Sequence, residues 1–316
     1  MMTGGLKRVA DILARLGRKI SNSYLDKLRK TMTILIIDAD SIVYAAAFAS
    51  QDWAVFDEDG NLSGIYKTRG DAKEAAIWED DTIEPYPMED AEAINNTDAI
   101  IENILDQFDD VEDVVVWLTA PDITQNFRYS VTSEYKANRK DFQKPAHYQT
   151  ARDRLVEHWG AKISRPGWEA DDELSATGWQ HWLYGTGLHD VVLCSIDKDL
   201  DTVPGRHYRW PTHNREGSLY WLTEEEARMS YWASVLTGDK ADNISGLHRV
   251  GIKKATAMLE DCETDKEYYD VCKEKWIEYL GKEGYTEEEA IEQMHTSCQL
   301  LYLMRGDSDE GWRPPE

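Results

Sequence analysis

Three short apolar runs, separated by long stretches of helical periodicity, constrain the fold of this chain more than any other feature. They are TILIID (Thr33–Asp38), DVVVWL (Asp113–Leu118) and DVVLCSID (Asp190–Asp197). Short runs that are continuously apolar and rich in β-branched side chains are typical of strands buried on both faces. Strands that alternate with helices predict an α/β fold, in which a mainly parallel central sheet carries helices on both faces.

Shorter elements are predicted between these strands. The segment SIVYAAAFA, the stretch from Glu89 to Phe108 and the stretch from Tyr148 to Trp159 have the apolar spacing of helices. The turn-rich segment DGNLSG (Asp59–Gly64) lies between AVF and IYK, which predicts a short β-hairpin. Two further short strands are predicted near HYRW and LYWL.

Carboxylates follow the predicted strands at the point where each strand ends. The first strand ends at Asp38, Asp122 follows the second, and the third runs into Asp197 and Asp199. The stretch EADDE (169–173) opens the helix before that third strand. Because the carboxyl ends of parallel strands meet at one edge of a sheet, these acids are expected to converge. Oxygen ligands in such number suit two Mg²⁺ or Mn²⁺ ions, a pair that cleaves phosphodiesters.

The acidic stretch EADDE also has a simpler interpretation. Two carboxylates about 4 Å apart repel by roughly 4 kcal/mol at an effective dielectric near 20, so solvent, cations or protons must relieve them. Acids in the first turn of a helix also complement its dipole. A solvated helix start is therefore the alternative to a metal site for this stretch taken alone.

The net charge is strongly negative and unevenly distributed. The chain has 35 basic and 60 acidic residues, which gives −25, and residues 57–113 alone hold 19 acids and 3 bases. Such a charge argues against a nucleic-acid binder unless the acids are segregated or bind metal. Two divalent ions would bring the charge to −25 + 4 = −21, so affinity for DNA would depend on local basic surfaces.

Residues 1–31 differ in kind from the rest of the chain. The segment LKRVADILARLGRKISNSYLDKLRK carries 8 bases and 2 acids, with apolar residues at helical spacing. An amphipathic helix, a basic arm, a targeting peptide and a misassigned start upstream of Met32 all stay open. No apolar run approaches the roughly 20 residues of a membrane span, and the four cysteines have neither CxxC nor zinc spacing. We expect a cytoplasmic protein with reduced thiols.

Five motifs in a fixed order carry a resemblance to a known family. They are IIDAD, SEYKANRK, EADDE, SIDKDLDTV and TGDKADNISGLHRVGIKKA, and they lie between Met32 and the final WRPPE. With these motifs in this order, the chain resembles the 5′–3′ exonucleases of the flap-endonuclease superfamily, above all the short-tailed-phage branch. The resemblance implies a PIN-like nuclease fold with a C-terminal helix–turns–helix region that binds duplex DNA.

The resemblance also implies two sets of carboxylates, one for each divalent ion. The first set would be Asp38, Glu169 and Asp171, with Asp122 assisting. The second set would be Asp172, Asp197, Asp199 and Asp242, and Asp239 matches the first acid of the family's GDxxDN motif. Asp40 and Asp201 match only part of the family, and we expect them to lie outside the ligand sets.

Basic and aromatic residues are the remaining candidates. The motif SEYKANRK combines a tyrosine with several cations, which is typical of a surface that binds single-stranded nucleic acid. An ordinary exposed polar loop is the alternative interpretation. In the family this segment starts an arch over the site, which implies Lys136 and Arg139 as catalytic cations. Glycines and lysines at a helix start suit phosphate binding, with a plain αα-hairpin as the alternative; the family often binds K⁺ there. The implied DNA-binding residues are Arg128, Tyr135, Lys140, Lys144, Gly246, Arg249, Gly251, Lys253 and Lys254.

The implied function is a metal-dependent 5′–3′ exonuclease acting on duplex DNA with 5′ ends, nicks or flaps. The resemblance also implies cleavage of 5′ flaps and of the RNA in RNA–DNA hybrids. The implied setting is phage replication or recombination inside a bacterial host cell. Two rivals are a haloacid-dehalogenase-like phosphatase, which also has Asp-x-Asp after its first strand, and an inactive DNA-binding protein on the same fold.

The same reasoning divides the chain into three parts. They are a basic extension (1–31), a nuclease core (32–235) with an acidic insert (57–113) and an arch (128–160), and a duplex-binding region with a tail (236–316). The acidic insert is expected to lie away from the DNA and is a candidate surface for replication proteins.

Overall fold

The computed structural model describes residues 32–139, 142–185 and 189–316, and the alternatives for residues 1–31 lie outside the described residues. The strands are β1 (Met32–Asp38), β2 (Gln51–Phe56), β3 (Leu62–Tyr66), β4 (Thr82–Pro87), β5 (Val111–Leu118), β6 (Lys162–Ile163), β7 (His189–Cys194), β8 (Gly205–Arg209) and β9 (Ser218–Leu222). The α-helices are α1 (Asp40–Ala49), α2 (Arg69–Ala75), α3 (Asp90–Leu105), α4 (Phe127–Val131), α5 (Tyr148–Glu157), α6 (Ala170–Tyr184), α7 (Glu224–Thr237), α8 (Ile252–Leu259), α9 (Asp265–Gly281) and α10 (Glu287–Leu301).

A six-stranded sheet in the order β6-β5-β1-β7-β8-β9 forms the centre of the molecule. The strands β6, β5, β1, β7 and β8 run parallel to one another. The edge strand β9 pairs antiparallel with β8. The three predicted buried strands are the adjacent trio β5-β1-β7, so the prediction of a mainly parallel sheet is confirmed. In the register of these strands Asp38 stands opposite Trp117, at the carboxyl end of β1.

Both faces of the central sheet are covered by helices. Alternate residues of β1 divide between the faces: Leu35 and Ile37 pack with α1, α3 and α5, whereas Ile36 packs with α6. This alternation follows from the pleat of the strand, because successive side chains point to opposite faces. A strand that is apolar on every residue therefore requires a layer of helices on each side.

A second, smaller sheet in the order β3-β2-β4 is antiparallel. The predicted hairpin is present as β2 and β3, but its third strand, β4, has no clear signal in the sequence TIEPYP. Proline cannot donate to a ladder, and it is tolerated here because β4 is an edge strand. The acidic region 57–113 supplies β3 and β4 of this sheet, and its helix α3 packs Ile101 and Ile104 into the core.

The last four helices form a separate apolar cluster around Trp232 and Trp276. Three of them begin at a Thr-x-x-Glu capping box, with Thr223, Thr264 and Thr286 as the capping residues. In each box the threonine side chain accepts the amide of the glutamate, and the glutamate bonds back to the cap, which fixes where the helix starts. This cluster is the predicted C-terminal helical region.

Within the described ranges, no helix is both long and apolar enough to cross a bilayer. The four cysteines are free thiols, and three of them are buried. The division of the chain into an extension, a core and a duplex-binding region stays a prediction.

Gly178 determines how closely α6 approaches β7. A Cβ atom on this residue would lie 2.7 Å from Val203 Cγ1 and 2.9 Å from Leu193 Cδ1, in the closely packed interior. We therefore expect Gly178→Val to lower the free energy of unfolding by about 1–3 kcal/mol, because neighbouring side chains must shift. Gly281 has no heavy atom within 4 Å of the same position, and Gly281→Val should change stability by about 0.5 kcal/mol or less. Urea unfolding of both variants measures the difference, and equal losses would contradict this packing argument.

Candidate active site

The predicted acids meet at the carboxyl edge of the central sheet. Asp38 ends β1, Asp197 follows β7, and Glu169 caps the start of α6 with Asp171 in its first turn. The pKa of Asp171 is raised well above its ordinary value by removal from solvent, and further by the charges of Asp38, Asp197 and Glu169. These acids therefore interact across three different elements of the fold.

Asp38 is the most enclosed of the cluster, with 3% of its surface exposed. Its Oδ2 accepts hydrogen bonds from the hydroxyls of Ser195, at 2.8 Å, and Ser41, at 3.1 Å. Its Oδ1 accepts the backbone amide of Asp40 at 3.1 Å. Burial, followed by the charge of Asp40, raises the pKa of Asp38 to about 7. The two serines hold the carboxyl in place, and sequence reasoning did not single them out.

A second group of acids lies where β7 runs into the following turn. Asp197 Oδ1 accepts the amide of Asp199 at 2.9 Å. Burial and then the charge of Asp197 raise the pKa of Asp199 to about 7. Lys198 donates to Asp239 at 2.8 Å and lies 3.7 Å from Asp199. The lysine between the two acids is thus a counter-ion of this group, a role that sequence reasoning missed.

Lys136 and Arg139 place two positive charges directly on the acidic cluster. The ammonium of Lys136 donates to Glu169 and lies 3.6 Å from Asp242 Oδ2, while Arg139 donates to Asp242. Burial alone would raise the pKa of Glu169, but Lys136 and then Arg128 lower it to about 2. The pKa of Lys136 is raised in return, because the attraction of Glu169 and Asp242 exceeds the effect of its burial. Lys136 therefore stays charged across the physiological range.

Hydrogen bonds join the motif SEYKANRK to the motif GDKADN, about a hundred residues later. The amide of Lys136 donates to the carbonyl of Asp242 at 2.9 Å, with Lys136 itself in the left-handed region at φ +53°. The side chain of Asn138 donates to the carbonyl of Lys240 at 2.8 Å, and Asn243 donates back to the carbonyl of Glu134 at 2.7 Å. These contacts fix the cations of the first motif over the acids of the second.

The chain matches curated proteins over part of their length. No family model matches it. The exonuclease of Escherichia phage T7 is 32% identical over 118 residues, which span 37% of this chain and 38% of the relative. The thermostable DNA polymerase I of Thermus aquaticus is 33% identical over 43% of this chain and 17% of the polymerase. A 5′–3′ exonuclease of Buchnera aphidicola is 26% identical over 253 residues, 76% of this chain and 74% of the relative.

A solved structure shows the same fold. The T5 D15 protein co-crystallised with metal ions matches the chain with a TM-score of 0.51 and 14% sequence identity, over 86% of this chain and 91% of that one. The sequence matches are to exonucleases and to a DNA polymerase I, and the fold is that of a phage protein crystallised with metal. The chain is thus similar in sequence to 5′–3′ exonucleases over part of its length, and it shares the fold of the T5 D15 protein.

One residue that the superfamily resemblance implied as a DNA contact proves to be buried. Arg128 is 2% exposed and forms a two-pronged ion pair with Asp172, at 2.8 and 3.0 Å. Its remaining donors reach the carbonyl oxygens of Leu300 and Tyr302. The expectation that Arg128 binds DNA is therefore wrong, because no donor is left for a phosphate. Asp172, which is fully buried, likewise faces this arginine rather than a metal position.

Tyr135 also differs from its expected role. Its ring is 2% exposed and packs edge-on against Tyr129, so it offers no surface for a base to stack on. Its hydroxyl lies 2.8 Å from Glu169 Oε2 and 3.1 Å from Asp242 Oδ2. The expectation of a DNA-binding platform at Tyr135 is corrected: the residue orients two carboxylates of the cluster.

Asp122 does not join the acidic cluster, whereas Asp40 lies beside it. Asp122 is exposed, and its carboxylate accepts hydrogen bonds from Thr124 and Gln125 of its own turn rather than joining the cluster. The assisting role implied for Asp122 thus has no support in this arrangement. Asp40 accepts the amide of Thr119 at 3.2 Å, and its charge raises the pKa of Asp38. In the sequence, the Asp-x-Asp spacing of Asp38 and Asp40 is the signal that indicates Asp40 near the site.

The other implied DNA-binding residues lie at the surface or outside the described residues. Arg249, Lys253 and Lys254 are exposed around the start of α8, where Gly251 is the N-cap. Lys144 is also exposed, and Lys140 falls outside the described residues. Gly246 fits a close approach of two backbone segments, because a Cβ there would lie 2.1 Å from the carbonyl carbon of Thr237.

The donor chemistry of the cluster fits hard divalent cations. Its side chains offer carboxylate oxygens, the ligands that Mg²⁺ and Mn²⁺ prefer. Among the residues that the structure describes, no group of three or more His, Cys, Asp or Glu side chains is already arranged to hold a metal ion. Lysine and arginine side chains instead occupy carboxylate oxygens of Glu169, Asp239 and Asp242. Ion binding therefore requires these side chains to change partners.

The raised pKa values predict how stability depends on pH without divalent ions. Asp38 and Asp199, with pKa values of about 7 against an ordinary 3.8, and Asp171 keep protons in the folded state that the unfolded chain has lost. The contribution of Asp38 and Asp199 to stability is therefore greatest below about pH 4 and declines as the pH rises to about 7, and that of Asp171 declines in the same direction. The pKa of Glu169 is lowered instead of raised, so its contribution to stability is lost as the pH falls. This loss occurs only below its ordinary pKa of 4.5.

We expect the melting temperature in chelator to fall between about pH 5 and pH 8. In Asp171→Asn the fall should be smaller, because one of the repelling charges is gone, and the melting temperature at about pH 8 should be higher than that of the wild type by a few degrees. Thermal melts by circular dichroism at several pH values measure both effects. A wild-type melting temperature that rises through this interval would contradict the repulsion inferred for the cluster.

Proposed function

We propose that this chain is a divalent-metal-dependent nuclease that removes nucleotides from the 5′ ends of duplex DNA. The observation that carries the proposal is the contact of Lys136 and Arg139 with carboxylates that converge on one edge of a parallel sheet. Cations beside a metal-binding cluster suit a substrate that is itself an anionic phosphodiester. The sequence relatives, several of which are exonucleases, support the same activity.

The carboxylates divide between two divalent ions in this proposal. Asp38, Glu169 and Asp171 would hold the first, and Asp197, Asp199 and Asp242 would hold the second, with Asp239 beside it. When bound, the two ions supply an activated water and stabilise the leaving 3′ oxygen.

The protein's own groups position the reactants. The serine hydroxyls orient Asp38, and the Tyr135 hydroxyl orients Glu169 and Asp242. Lys136 and Arg139 are partly exposed at the cluster and would turn from carboxylate to phosphate when ions occupy the acids. There they would bind the scissile phosphate and stabilise the charge that develops on it.

Duplex binding is assigned to the surface around the start of α8. The exposed cations Arg249, Lys253 and Lys254 lie there, and backbone amides at a helix start attract phosphate. This surface compensates locally for the net negative charge of the chain. A potassium ion bound in the preceding loop, 238–251, belongs to the same proposal.

The proposal also includes further substrates and a cellular setting. It covers cleavage of 5′ flaps, removal of RNA from RNA–DNA hybrids, and a role in phage replication or recombination in the host cytoplasm. The acidic region 57–113, which includes β3 and β4 of the small sheet, is proposed as a surface for replication proteins.

Asp171→Asn is expected to abolish cleavage in Mg²⁺, with at least about a 10³-fold loss of rate. The variant should remain folded, because the substitution removes a repelling charge and keeps the shape of the side chain. Degradation of nicked, flapped and blunt duplexes labelled at the 5′ end measures the effect. Near-wild-type cleavage by this variant would refute the metal assignment.

The same assay separates the proposal from its two rivals. A wild-type chain that hydrolysed a small phosphate ester but no DNA would indicate a phosphatase. One that bound duplex without metal-dependent release of nucleotides would indicate an inactive binding protein.

Lys136→Ala and the pair Lys253→Ala/Lys254→Ala are expected to affect different steps. Lys136 lies at the cluster, so its loss should lower the single-turnover rate by about 10²-fold or more with little change in duplex affinity. Lys253 and Lys254 would meet remote phosphates, so their loss should weaken duplex binding and reduce its dependence on salt. Single-turnover rates and affinities across a salt series measure both. A loss of rate without a loss of affinity in the double variant would contradict this division of roles.

A further inference from the structure

Every N–H donor of Arg128 is directed at a partner beneath the acidic cluster. Nε donates to the carbonyl of Leu300 at 2.9 Å, and one terminal nitrogen donates to Asp172 at 3.0 Å and to the carbonyl of Tyr302 at 2.8 Å. The other terminal nitrogen donates to Asp172 at 2.8 Å and lies 3.5 Å from Glu169. A planar guanidinium with five fixed donors suits such a junction, whereas a lysine ammonium does not.

Asp172 is the other half of this junction, and it is fully buried. Besides Arg128, its Oδ1 accepts the amide of Met304 at 3.2 Å, and its Oδ2 accepts the amide of Glu169 at 3.0 Å. One carboxylate therefore binds the C-terminal segment Leu300–Met304 and the first turn of α6 at once. Burying these charges is costly, and an apolar replacement of such a pair is often neutral or stabilising, so stability alone does not account for it.

The first turn of α6 is the element that presents metal-facing acids. Glu169 caps it, and Asp171 precedes Asp172 in the same turn. A helical turn moves as a unit, so any shift of Asp172 also displaces the carboxylates of Glu169 and Asp171. Groups that orient ligand carboxylates commonly change metal affinity by about 10–100-fold when they are removed.

We propose that the segment Leu300–Met304 is a working part of the site, because through Arg128 and Asp172 it fixes the first turn of α6 and sets its affinity for divalent ions. Arg128 and Asp172 are positioning residues in this scheme. The inference rests on the proposed function only in taking Glu169 and Asp171 as ion ligands. It makes docking of the C-terminal segment and binding of the ion mutually dependent.

The first experiment compares ion affinity with stability in the full chain. The variants are Arg128→Met, Arg128→Lys and the double variant Arg128→Met/Asp172→Leu, which leaves no unpaired buried charge if Arg128→Met alone fails to fold. Arg154→Met is the matched control, since Arg154 pairs with Asp98 at 2.6 Å on the opposite layer of helices. Calorimetric titration with Ca²⁺ and Mn²⁺ in the absence of DNA gives affinity, and thermal melts give stability.

We expect the methionine and double variants to bind the ions about 10-fold or more weakly, with partial rescue in Arg128→Lys. The control should keep wild-type affinity even where its melting temperature falls. Wild-type affinity in a folded Arg128→Met or double variant would overturn the proposal, and so would an equal loss of affinity in the control.

The second experiment uses the unaltered protein. If the C-terminal segment and the ions are coupled, saturating Ca²⁺ should slow hydrogen exchange of the Met304 amide by about 5-fold or more beyond the change in amides of α3. The reference to α3 removes any general stabilisation by the ion. Unchanged relative exchange at Met304 would overturn the proposal. Ion binding and exchange are measured without substrate, so a protein that bound ions but cut no DNA would refute the proposed function and leave this inference standing.

Discussion

The structure depends above all on the repulsion among carboxylates gathered at one edge of the central sheet. Two such charges about 4 Å apart cost roughly 4 kcal/mol at an effective dielectric near 20. Burial, and then the charges of neighbouring carboxylates, raise the pKa values of Asp38 and Asp199 to about 7. The fold offsets the repulsion with positive side chains from other segments, namely Lys136, Arg139 and Lys198. The long-range ion pairs of the site therefore follow from its charge.

The cations around the cluster fall into two physical classes. Arg128 is enclosed, its donors are occupied, and its partner Asp172 is fully buried, so this pair is a fixed part of the scaffold. Lys136 and Arg139 keep part of their surface in solvent, at 19% and 47%. An exposed cation can exchange a carboxylate for a phosphate at small cost, whereas separating a buried pair leaves an uncompensated charge. Under the proposed function, a positive charge thus serves the structure at Arg128 and the substrate at Lys136 and Arg139.

The sequence predicts the elements of this site better than it predicts the directions of the side chains. Strand ends are recognisable from apolar runs, and parallel strands bring their ends together, so the convergence of Asp38 and Asp197 was predictable. The burial of Arg128 and Tyr135 was not, because a stretch rich in tyrosine and cations has the composition of an exposed binding loop. Their partners lie far along the chain, as Leu300 does for Arg128, and no local pattern reveals such a contact. The strand β4 was missed because its sequence contains prolines. A strand tolerates proline only at a sheet edge, and no local pattern reveals that β4 lies at one.

A site built of repelling charges must be held together by interactions elsewhere. Three apolar clusters do this: two cover the faces of the central sheet, and the third holds the C-terminal helices. The junction at Arg128 connects the third cluster to the site, because Leu300 belongs to that cluster and its carbonyl accepts from the guanidinium. Through Arg128 and Asp172, the C-terminal cluster is therefore linked to the first turn of α6. In the proposed scheme, this connection gives the C-terminal helices a part in ion binding at an edge to which the loop between α7 and α8 also contributes Asp239 and Asp242.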